Sequence, residues 1–394
     1  MANENHTTPR GRGALSALGW ALTLVLIGLL VWVLVVVASP TLFGRQVEFP
    51  PGVARTAQLL GSEAATSARA ILPLGKGLVG DTSLRSTSPR IVPTAGKAVS
   101  ARTITFAYDG VKHSIKPAMA SDVYWGARRS TRLLTELPGE SNADWTSAYY
   151  HAFADDPAQK PAIDDVCAQL RAIRDRWHLG PDQYLELIAK YVQSIPYDWA
   201  IYKSGTGKQR FPVETLVDGK GLCGDKSVLL ADLLSHEGYA AALLDFGPEK
   251  HMAVGIKGQG RTYSSSGFLF LETTSPCYVT DVPTEYTGGM KLQSEPVVVQ
   301  IGDGVVEYSA ADQIAKIVAV RESAQKAADR LYKDAKSQQL TNAEVTAINR
   351  KLNAAYKAQT SLRSNVVDPK GKSVGTFLDR DLALAWIDRN AWWL

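Results

Sequence analysis

Residues 219–239 read GKGLCGDKSVLLADLLSHEGY, and their pattern predicts a helix over residues 222–236. Apolar side chains recur through VLLADLL at the spacing of a buried helix. Gly238 stands where a left-handed residue at the C-cap would end that helix. The helix would begin beside Cys223, so we expect a thiol in its first turn.

This position makes Cys223 a candidate nucleophile. The first turn of a helix has unpaired N–H groups and the positive end of the helix dipole, and both favour a thiolate over a thiol. A thiolate attacks a carbonyl carbon, and nearby N–H groups can stabilise the oxyanion that forms. The alternative is a small residue that only fills the start of a helix. The local sequence fits both.

Two further polar residues lie at apolar strand-like segments downstream. His251, in GPEKHMAVGIK, falls where a loop enters a predicted strand, which would hold the ring rigidly at a cleft. A histidine at a strand edge also serves as a structural hydrogen-bonding group. Glu272, in FLFLETTSP, interrupts an apolar run. Burying this carboxylate is costly without a partner, and an imidazolium on a neighbouring strand would be suitable.

Strand-like segments surround these residues on the downstream side. They read AAALLDF, HMAVGIK, FLFLET and PVVVQIGDGVVEYS, between residues 240 and 309. Far upstream, TITFAY and VKHSIK flank Asp109 and Gly110, a pair that supplies the positive φ angles of a two-residue hairpin turn. Helical patterns near residues 121–134, 162–177 and 182–192 come between. Helices followed by adjacent strands predict an α+β domain with an antiparallel sheet.

The hydrophobic patterns at the two ends of the chain differ from those of the α+β domain. From residue 311 the pattern becomes helical again, and Thr341 with Glu344 forms a capping-box signature that opens a second helix. These features predict a helical hairpin that could recruit a protein partner. The tail, DRDLALAWIDRNAWWL, could dock on the body or touch a membrane surface.

Near the N-terminus, residues 14–38 are almost wholly apolar and contain no charged residue. A helix needs about 20 apolar residues to cross a bilayer, whereas the apolar region of a cleaved signal peptide has roughly 7 to 15. We therefore predict a retained single-pass anchor in the cell membrane. Arg10 and Arg12 precede it and Arg45 follows it, a slight bias that favours a cytoplasmic N-terminus and an extracytoplasmic main domain.

Five regions follow from these patterns. We expect a cytoplasmic tail, a transmembrane helix, a stalk rich in Gly, Pro, Ser, Thr and Ala, the α+β domain, and the C-terminal hairpin with its tail. Their predicted bounds are 1–13, 14–38, 39–100, 101–308 and 309–394.

Composition and motifs exclude several classes of function. The net charge is only +4 and no long basic run is present, so we expect no nucleic-acid partner. The sequence has no C-x-x-C, no H-E-x-x-H and no complete phosphate-binding loop. It therefore gives no support for a metal site or a cofactor.

Taken together, Cys223, His251 and Glu272 resemble the site of the transglutaminase-like superfamily, here of a membrane-anchored prokaryotic type. That fold carries a papain-type thiol centre in the chain order Cys, His, Asp. The resemblance extends to QSIPYDW upstream, to PVETLVDGKGLCGDKSVLLADLLSHEGY around the cysteine, and to the L-E-T-T-x-P context of Glu272. It is close over residues 192–276 and looser over residues 103–308.

The resemblance implies a transglutaminase-like, papain-like domain and a role for each residue. Cys223 would be the nucleophile, His251 the base and then the acid, and Glu272 the group that orients the imidazole. Glutamate departs from the usual Asp, yet it serves in triads on other folds. Asp225 matches an acidic residue of the family, and we expect it to order the first turn or the preceding loop.

The second oxyanion donor has two candidates, Trp199 and Tyr197 in QSIPYDW. Either could present an N–H or O–H group to the site, and either could instead be a core residue.

The other two cysteines also leave an alternative open. In an exported chain thiols tend to pair, so Cys167 and Cys277 could form a disulfide and leave Cys223 free. Cys167 also lies on the apolar face of its predicted helix, where it would be a core residue.

These observations predict a surface thiol enzyme that acts on peptide or glutamine amides through a thioester. Water as the acceptor would make it a peptidase or amidase, which we slightly prefer, and an amine would make it a cross-linking transferase. The alternative is a non-catalytic scaffold or binding module at the cell surface, with the helical hairpin as its interaction element.

Overall fold

The protein is described by a computed structural model that covers residues 85–337, 340–362, 366–367, 373–374 and 379–390. The predicted cytoplasmic tail, the predicted membrane helix and the first part of the predicted stalk lie outside the described residues. Among the helices within these ranges, none combines the length and the apolar character that crossing a bilayer requires.

Helices and strands follow one another in an α+β order, as the sequence predicts. In chain order they are β1 (Ile104–Tyr108), β2 (Val111–Ile115), α1 (Ser121–Arg129), α2 (Asn142–Ala154), α3 (Lys160–Trp177), α4 (Pro181–Gln193), α5 (Trp199–Ser204), α6 (Pro212–Asp218), α7 (Cys223–His236), β3 (Ala241–Phe246), β4 (His251–Ile256), β5 (Leu269–Leu271), β6 (Val297–Gln300), α8 (Ala311–Ser337), α9 (Asn342–Leu362), β7 (Val366–Val367), β8 (Ser373–Val374) and α10 (Arg380–Asn390).

The central sheet has four strands in the order β5-β4-β3-β6, and every neighbouring pair is antiparallel. Its middle strands are apolar throughout: every residue of β4 is buried, and so is every residue of β3 except Asp245. The antiparallel sheet and the helical C-terminal region confirm the predicted fold class. The strand-like segment PVVVQIGDGVVEYS forms a strand only in its first part, β6. In its last part, VVEYS, Val306 and Tyr308 form only isolated bridges, so the strand predicted there is wrong.

Helix α7 is the central helix of the domain. It packs against β3 and β4 and also against α2, α4 and α6, so that every residue from 225 to 234 is buried. Enclosure on all sides explains the nearly continuous apolar run VLLADLL, because a helix covered by sheet and helices needs no polar face. This burial fixes the start of α7, and with it Cys223, relative to the sheet.

The predicted β1–β2 hairpin is confirmed. Asp109 and Gly110 have φ angles of 49° and 74°, and Tyr108 pairs with Val111 across the turn. Two successive positive φ angles match the twist of a two-residue hairpin.

The segment of residues 85–100, which the composition assigned to the stalk, packs on the domain. Ile91 is only 4% exposed, and its N–H donates to the Asp156 carboxylate at 2.7 Å. The N–H of Thr94 donates to the carbonyl of Asp122 at 2.9 Å. One apolar anchor and paired backbone groups are enough to order this segment, so the domain includes residues from 85 rather than from 101.

The C-terminal part forms the predicted helical hairpin. Helices α8 and α9 pack against each other, and the second opens with the predicted capping box, in which the Thr341 N–H donates to Glu344 at 2.8 Å. Beyond them, α10 docks on the body, because the Arg380 guanidinium donates to Glu186 of α4 at 2.7 Å. The last residues of the tail, 391–394, lie outside the described part.

Candidate active site

Cys223 is the first residue of α7 and is partly exposed at the N-terminal end of this largely buried helix. Its Sγ lies 3.9 Å from the carbonyl oxygen of Lys250, the residue just before β4. The loop in front of it is tight: a Cβ on Gly221 would lie 2.9 Å from the Cβ of Asp225, which explains a glycine there. The thiol thus faces the start of β4 from the N-terminal end of α7.

Asp225 orders the chain on both sides of the cysteine. Its Oδ2 accepts the N–H of Leu222 at 2.9 Å, and its Oδ1 accepts the N–H of Arg210 at 2.9 Å. The carboxylate is buried, so these bonds replace water at both oxygens. Asp225 therefore fixes the first turn of α7 and ties it to the preceding loop.

His251 and Glu272 meet because of the register of β4 and β5. Val254 pairs with Leu271, so continuing the register by one residue sets Glu272 opposite Ala253, diagonal to His251 and on the same face. The Nε2 atom of His251 lies 3.0 Å from Oε2 of Glu272. The side chains of His251 and Glu272 are only 6% and 0% exposed.

The other oxygen of Glu272 is held by the turn that follows β5. Its Oε1 accepts the N–H of Thr273 at 2.9 Å, the N–H of Thr274 at 2.8 Å and the hydroxyl of Thr274 at 2.7 Å. A carboxylate with this many donors keeps its charge despite full burial. The L-E-T-T sequence thus builds a fixed anion beside the imidazole.

The contact between His251 and Glu272 raises the pKa of the histidine and lowers the pKa of the glutamate. Burial alone would lower the pKa of His251, but the charge of Glu272 and hydrogen bonds to Cys223 and Glu272 raise it to about 10. Burial alone would raise the pKa of Glu272, but the charge and hydrogen bond of His251 and the Thr274 donors lower it to about 2. The imidazolium–carboxylate form is therefore the stable one at neutral pH.

Aromatic side chains from the segment before α5 and from α5 itself stand beside the thiol. The rings of Tyr197 and Trp199 have centroids 4.9 Å apart, and Tyr202 contacts both. Asp198 joins this segment to the loop in front of α7, since its N–H donates to the carbonyl of Gly221 at 3.1 Å. The buried indole Nε1 of Trp199 has no hydrogen-bond partner among the described residues.

A cleft of about 910 Å³ opens in front of these groups. Its lining includes Cys223, His251 and the aromatic residues, the loop of residues 281–290, and Arg321 and Glu322 of α8. Tyr286 of that loop packs on His251 with ring centroids 4.5 Å apart. Arg321 binds Asp281 through two 2.7 Å hydrogen bonds, so the helical hairpin and the loop share one wall.

None of the three cysteines, all of which lie among the described residues, forms a disulfide. The disulfide considered for Cys167 and Cys277 is therefore not formed in the structure. Cys167 is buried in the core on α3, where burial and the nearby Glu237 raise its pKa. The Sγ of Cys277 lies 3.5 Å from the carbonyl oxygen of Asp281 in the loop after β5.

Within the described ranges, no group of three His, Cys, Asp or Glu side chains is arranged to hold a metal ion.

Lys226 and Gln193 also support the site, and neither was predicted from the sequence. Lys226 is fully buried, and Gln193 donates from Nε2 to the carbonyl of Glu272 at 2.8 Å. A signal for Lys226 exists in the sequence: it shares a helical face with Leu229, Leu230 and Leu233, all of which are buried. A lysine on an apolar face needs internal acceptors.

Comparisons with known proteins do not assign the chain. No protein-family model matches it, and a search of curated proteins finds no match.

Proposed function

We propose that this protein is a membrane-anchored, extracytoplasmic thiol enzyme of transglutaminase-like type that acts on peptide or glutamine amides. One observation carries the proposal: the partly exposed Cys223 opens onto the same cleft as His251, whose ring is bonded to the buried Glu272. A nucleophile, a base and an orienting carboxylate in this relation are the components of acyl transfer through a covalent intermediate.

The chemistry begins with an imidazolium beside the sulfur. The raised pKa of His251 keeps its ring protonated, and a positive ring favours the ionised form of a neighbouring thiol. The Cys223 sulfur attacks the amide carbonyl carbon and forms a C–S bond. When the tetrahedral intermediate collapses, the C–N bond breaks, and the proton on His251 passes to the leaving nitrogen. The product is an amine and a thioester on Cys223.

The second half of the reaction regenerates the site. Water or an amine loses a proton to the now neutral His251 as it attacks the thioester carbonyl, and the C–S bond breaks. Water yields a carboxylic acid, and an amine yields a new amide. We favour hydrolysis slightly because water is always present in an open cleft. Glu272 holds the ring in orientation throughout and stabilises its charged form.

The oxyanion would be stabilised by two donors in this proposal. The backbone N–H of Cys223 belongs to the first turn of α7 and has no carbonyl partner within the helix. Trp199 is the better candidate for the second donor, because this residue lines the cleft and its buried Nε1–H has no partner among the described residues. An unsatisfied buried donor is costly, and a developing oxyanion would satisfy it.

The anchor and the location belong to the same proposal. The apolar segment of residues 14–38 would hold the chain in the cell membrane as a single span with the N-terminus in the cytoplasm. The domain would then meet protein or peptide substrates outside the cell. The cleft needs no cofactor for this chemistry, because its own side chains supply the nucleophile and the proton transfers.

Hydroxylamine capture tests the proposed reaction and its substrate. The full-length protein is incubated with a pool of glutamine-containing peptides and hydroxylamine, and the products are mapped by mass spectrometry. A hydroxamate on a glutamine side chain reports transfer from that amide, and a hydroxamate at a new peptide C-terminus reports cleavage. We expect one of these products from the wild type and none from Cys223→Ala. Equal amounts from both proteins would refute the proposal.

The scaffold alternative requires a different comparison. Deleting residues 311–394 would also remove Arg321 and Glu322 from the cleft wall, so it does not separate the two functions. Tyr332 and Val345 of the hairpin are 54% and 41% exposed and are not part of the cleft lining. The double variant Tyr332→Ser/Val345→Ser is therefore compared with Cys223→Ala for the cellular phenotype of the protein. Loss of that phenotype in the double variant, but not in Cys223→Ala, would favour the scaffold.

A further inference from the structure

Lys226 lies one turn after Cys223 in α7, and it is 0% exposed. Its Nζ donates to the carbonyls of Gln193 at 3.1 Å, Ile195 at 2.8 Å and Thr274 at 3.5 Å. Among the described residues, its hydrogen-bond acceptors are thus main-chain oxygens rather than a carboxylate. Burying an ammonium group is expensive, and three carbonyl dipoles offset this cost only if they are held in place.

The three carbonyls belong to two segments that build the site. Gln193 and Ile195 stand at the end of α4, directly before the chain that carries Tyr197 and Trp199. Thr274 belongs to the turn whose N–H and hydroxyl groups hold Glu272. Lys226 itself belongs to the helix that begins with Cys223. One ammonium group therefore connects the nucleophile helix, the approach to the aromatic wall and the carboxylate turn.

The side chain of Gln193 completes this connection. Its Nε2 donates to the carbonyl of Glu272 at 2.8 Å and to that of Cys277 at 3.1 Å. Its own main-chain carbonyl accepts from Lys226. The turn from Glu272 to Cys277 is thus held at both ends by Gln193 and near its middle by Lys226.

We propose that Lys226 is the positioning residue of this site, a buried cation that fixes the carboxylate turn and the nucleophile helix to each other. This role rests on the proposed function only in one respect, namely which reaction the site catalyses. Lys226 acts on the site in two ways. Its hydrogen bonds set the geometry, and its positive charge favours the ionised forms of Glu272 and Cys223.

The charge of Lys226 is itself sensitive to pH. Burial lowers its pKa to about 7, while the negative charges of Glu272 and Cys223 oppose that fall. A neutral amine has two donors rather than three, so deprotonation loosens the connection to at least one carbonyl. The geometry of the site and its electrostatics should therefore change together above neutral pH.

The test measures the alkylation of Cys223 in the full-length protein by iodoacetamide, a neutral reagent, across a range of pH. Lys226→Met preserves much of the side-chain volume but removes the charge and the donors. We expect the midpoint of the pH–rate profile to rise and the rate at pH 7 to fall on the order of tenfold. Leu230→Met, a buried substitution on the same helix, is the control and should leave the profile unchanged.

A second variant separates geometry from charge. Gln193→Met removes the donors to the carbonyls of Glu272 and Cys277 but no charge, so it should lower the rate without moving the midpoint. If Lys226→Met does not fold, Lys226→Gln, which is also uncharged but keeps hydrogen-bond donors, provides the test and should also raise the midpoint. A folded Lys226→Met or Lys226→Gln protein with the wild-type profile would overturn the proposal.

These outcomes are distinct from a failure of the proposed function. Alkylation requires no substrate, so a protein that never turns over an amide still reports the effect of Lys226. Conversely, suppose that the wild type turns over an amide and that the alkylation profiles of the wild type and Lys226→Met are superimposable. That result would refute the role of Lys226 but leave the proposed function intact.

Discussion

The Nε2 atom of His251 lies 3.0 Å from Oε2 of Glu272, and the carboxylate is completely buried. This bond occupies one ring nitrogen, so the other nitrogen remains for the thiol, whose hydrogen bond contributes to the raised pKa of His251. His251 begins β4, a middle strand of the central sheet, and Glu272 directly follows the buried edge strand β5. The register of these two strands and the turn that holds Glu272 together set the orientation of the base.

The first prediction concerns the charge of Glu272. Glu272→Gln keeps the size of the side chain and removes the negative charge, so the pKa of His251 should fall well below its wild-type value of about 10. Glu272→Asp keeps the charge and should retain most of the shift. Titration of the His251 ring by NMR measures the effect. An unchanged pKa in Glu272→Gln would show that another group sets it.

The same pair predicts how stability depends on pH. His251 has a folded pKa of about 10 against 6.5 when unperturbed, so its contribution is complete below pH 6.5 and is lost as the pH rises towards 10. Glu272 has a folded pKa of about 2 against 4.5, so its contribution is complete above pH 4.5 and is lost as the pH falls towards 2.

We therefore expect the difference in unfolding free energy between the wild type and Glu272→Gln to be largest from pH 4.5 to 6.5. Denaturant unfolding of both proteins across pH provides the measurement. A difference that is constant from pH 3 to 9 would contradict the assigned coupling.

Trp199→Phe tests the second oxyanion donor. The substitution keeps an aromatic ring but removes the unpartnered Nε1–H, so the rate of hydroxamate formation should fall about 10²–10³-fold. The stability should stay equal or rise slightly, because an unsatisfied buried donor is lost. Tyr197→Phe tests the other candidate in the same assay. A large loss there, with none in Trp199→Phe, would transfer the role to Tyr197.

Asp225→Ala should act mainly on stability. It leaves the N–H groups of Leu222 and Arg210 without their acceptor, at a cost of about 1–3 kcal/mol each where water cannot replace it. Thermal unfolding measures the loss. Asp144→Ala, which removes an exposed carboxylate near the start of α2, is a suitable control and should change the melting temperature much less.

Much of the fold could be predicted from local patterns. The Asp109–Gly110 turn specifies its hairpin through the φ angles it requires. Helix α7 and the strands β3, β4 and β5 are apolar enough to be recognised without tertiary information. The chain order of Cys223, His251 and Glu272 then suggested a site whose side chains the structure brings together.

Other features depend on contacts that no local pattern shows. Helix α2 has aromatic and small residues on several faces, so its sequence has no clear apolar stripe. Helices α5 and α6 have six and seven residues, too short for a periodic signal. Residues 85–100 have the composition of a linker and are ordered through Ile91 and backbone pairing. Lys226 lies on an apolar helix face, which indicates burial, but the carbonyls that its Nζ binds come from segments that no local pattern connects with it.

Cys223 is proposed to form a thioester, and a burst of acylation before steady state provides the decisive test. Full-length protein is mixed with p-nitrophenyl acetate, nitrophenolate release is followed before steady state, and acid-quenched protein is mapped by mass spectrometry. We expect a burst of about one equivalent, with the acetyl group on Cys223, that is lost in Cys223→Ala and much slowed in His251→Ala. A burst of equal size in Cys223→Ala, or acetylation without any preference for Cys223, would show that Cys223 is not the nucleophile.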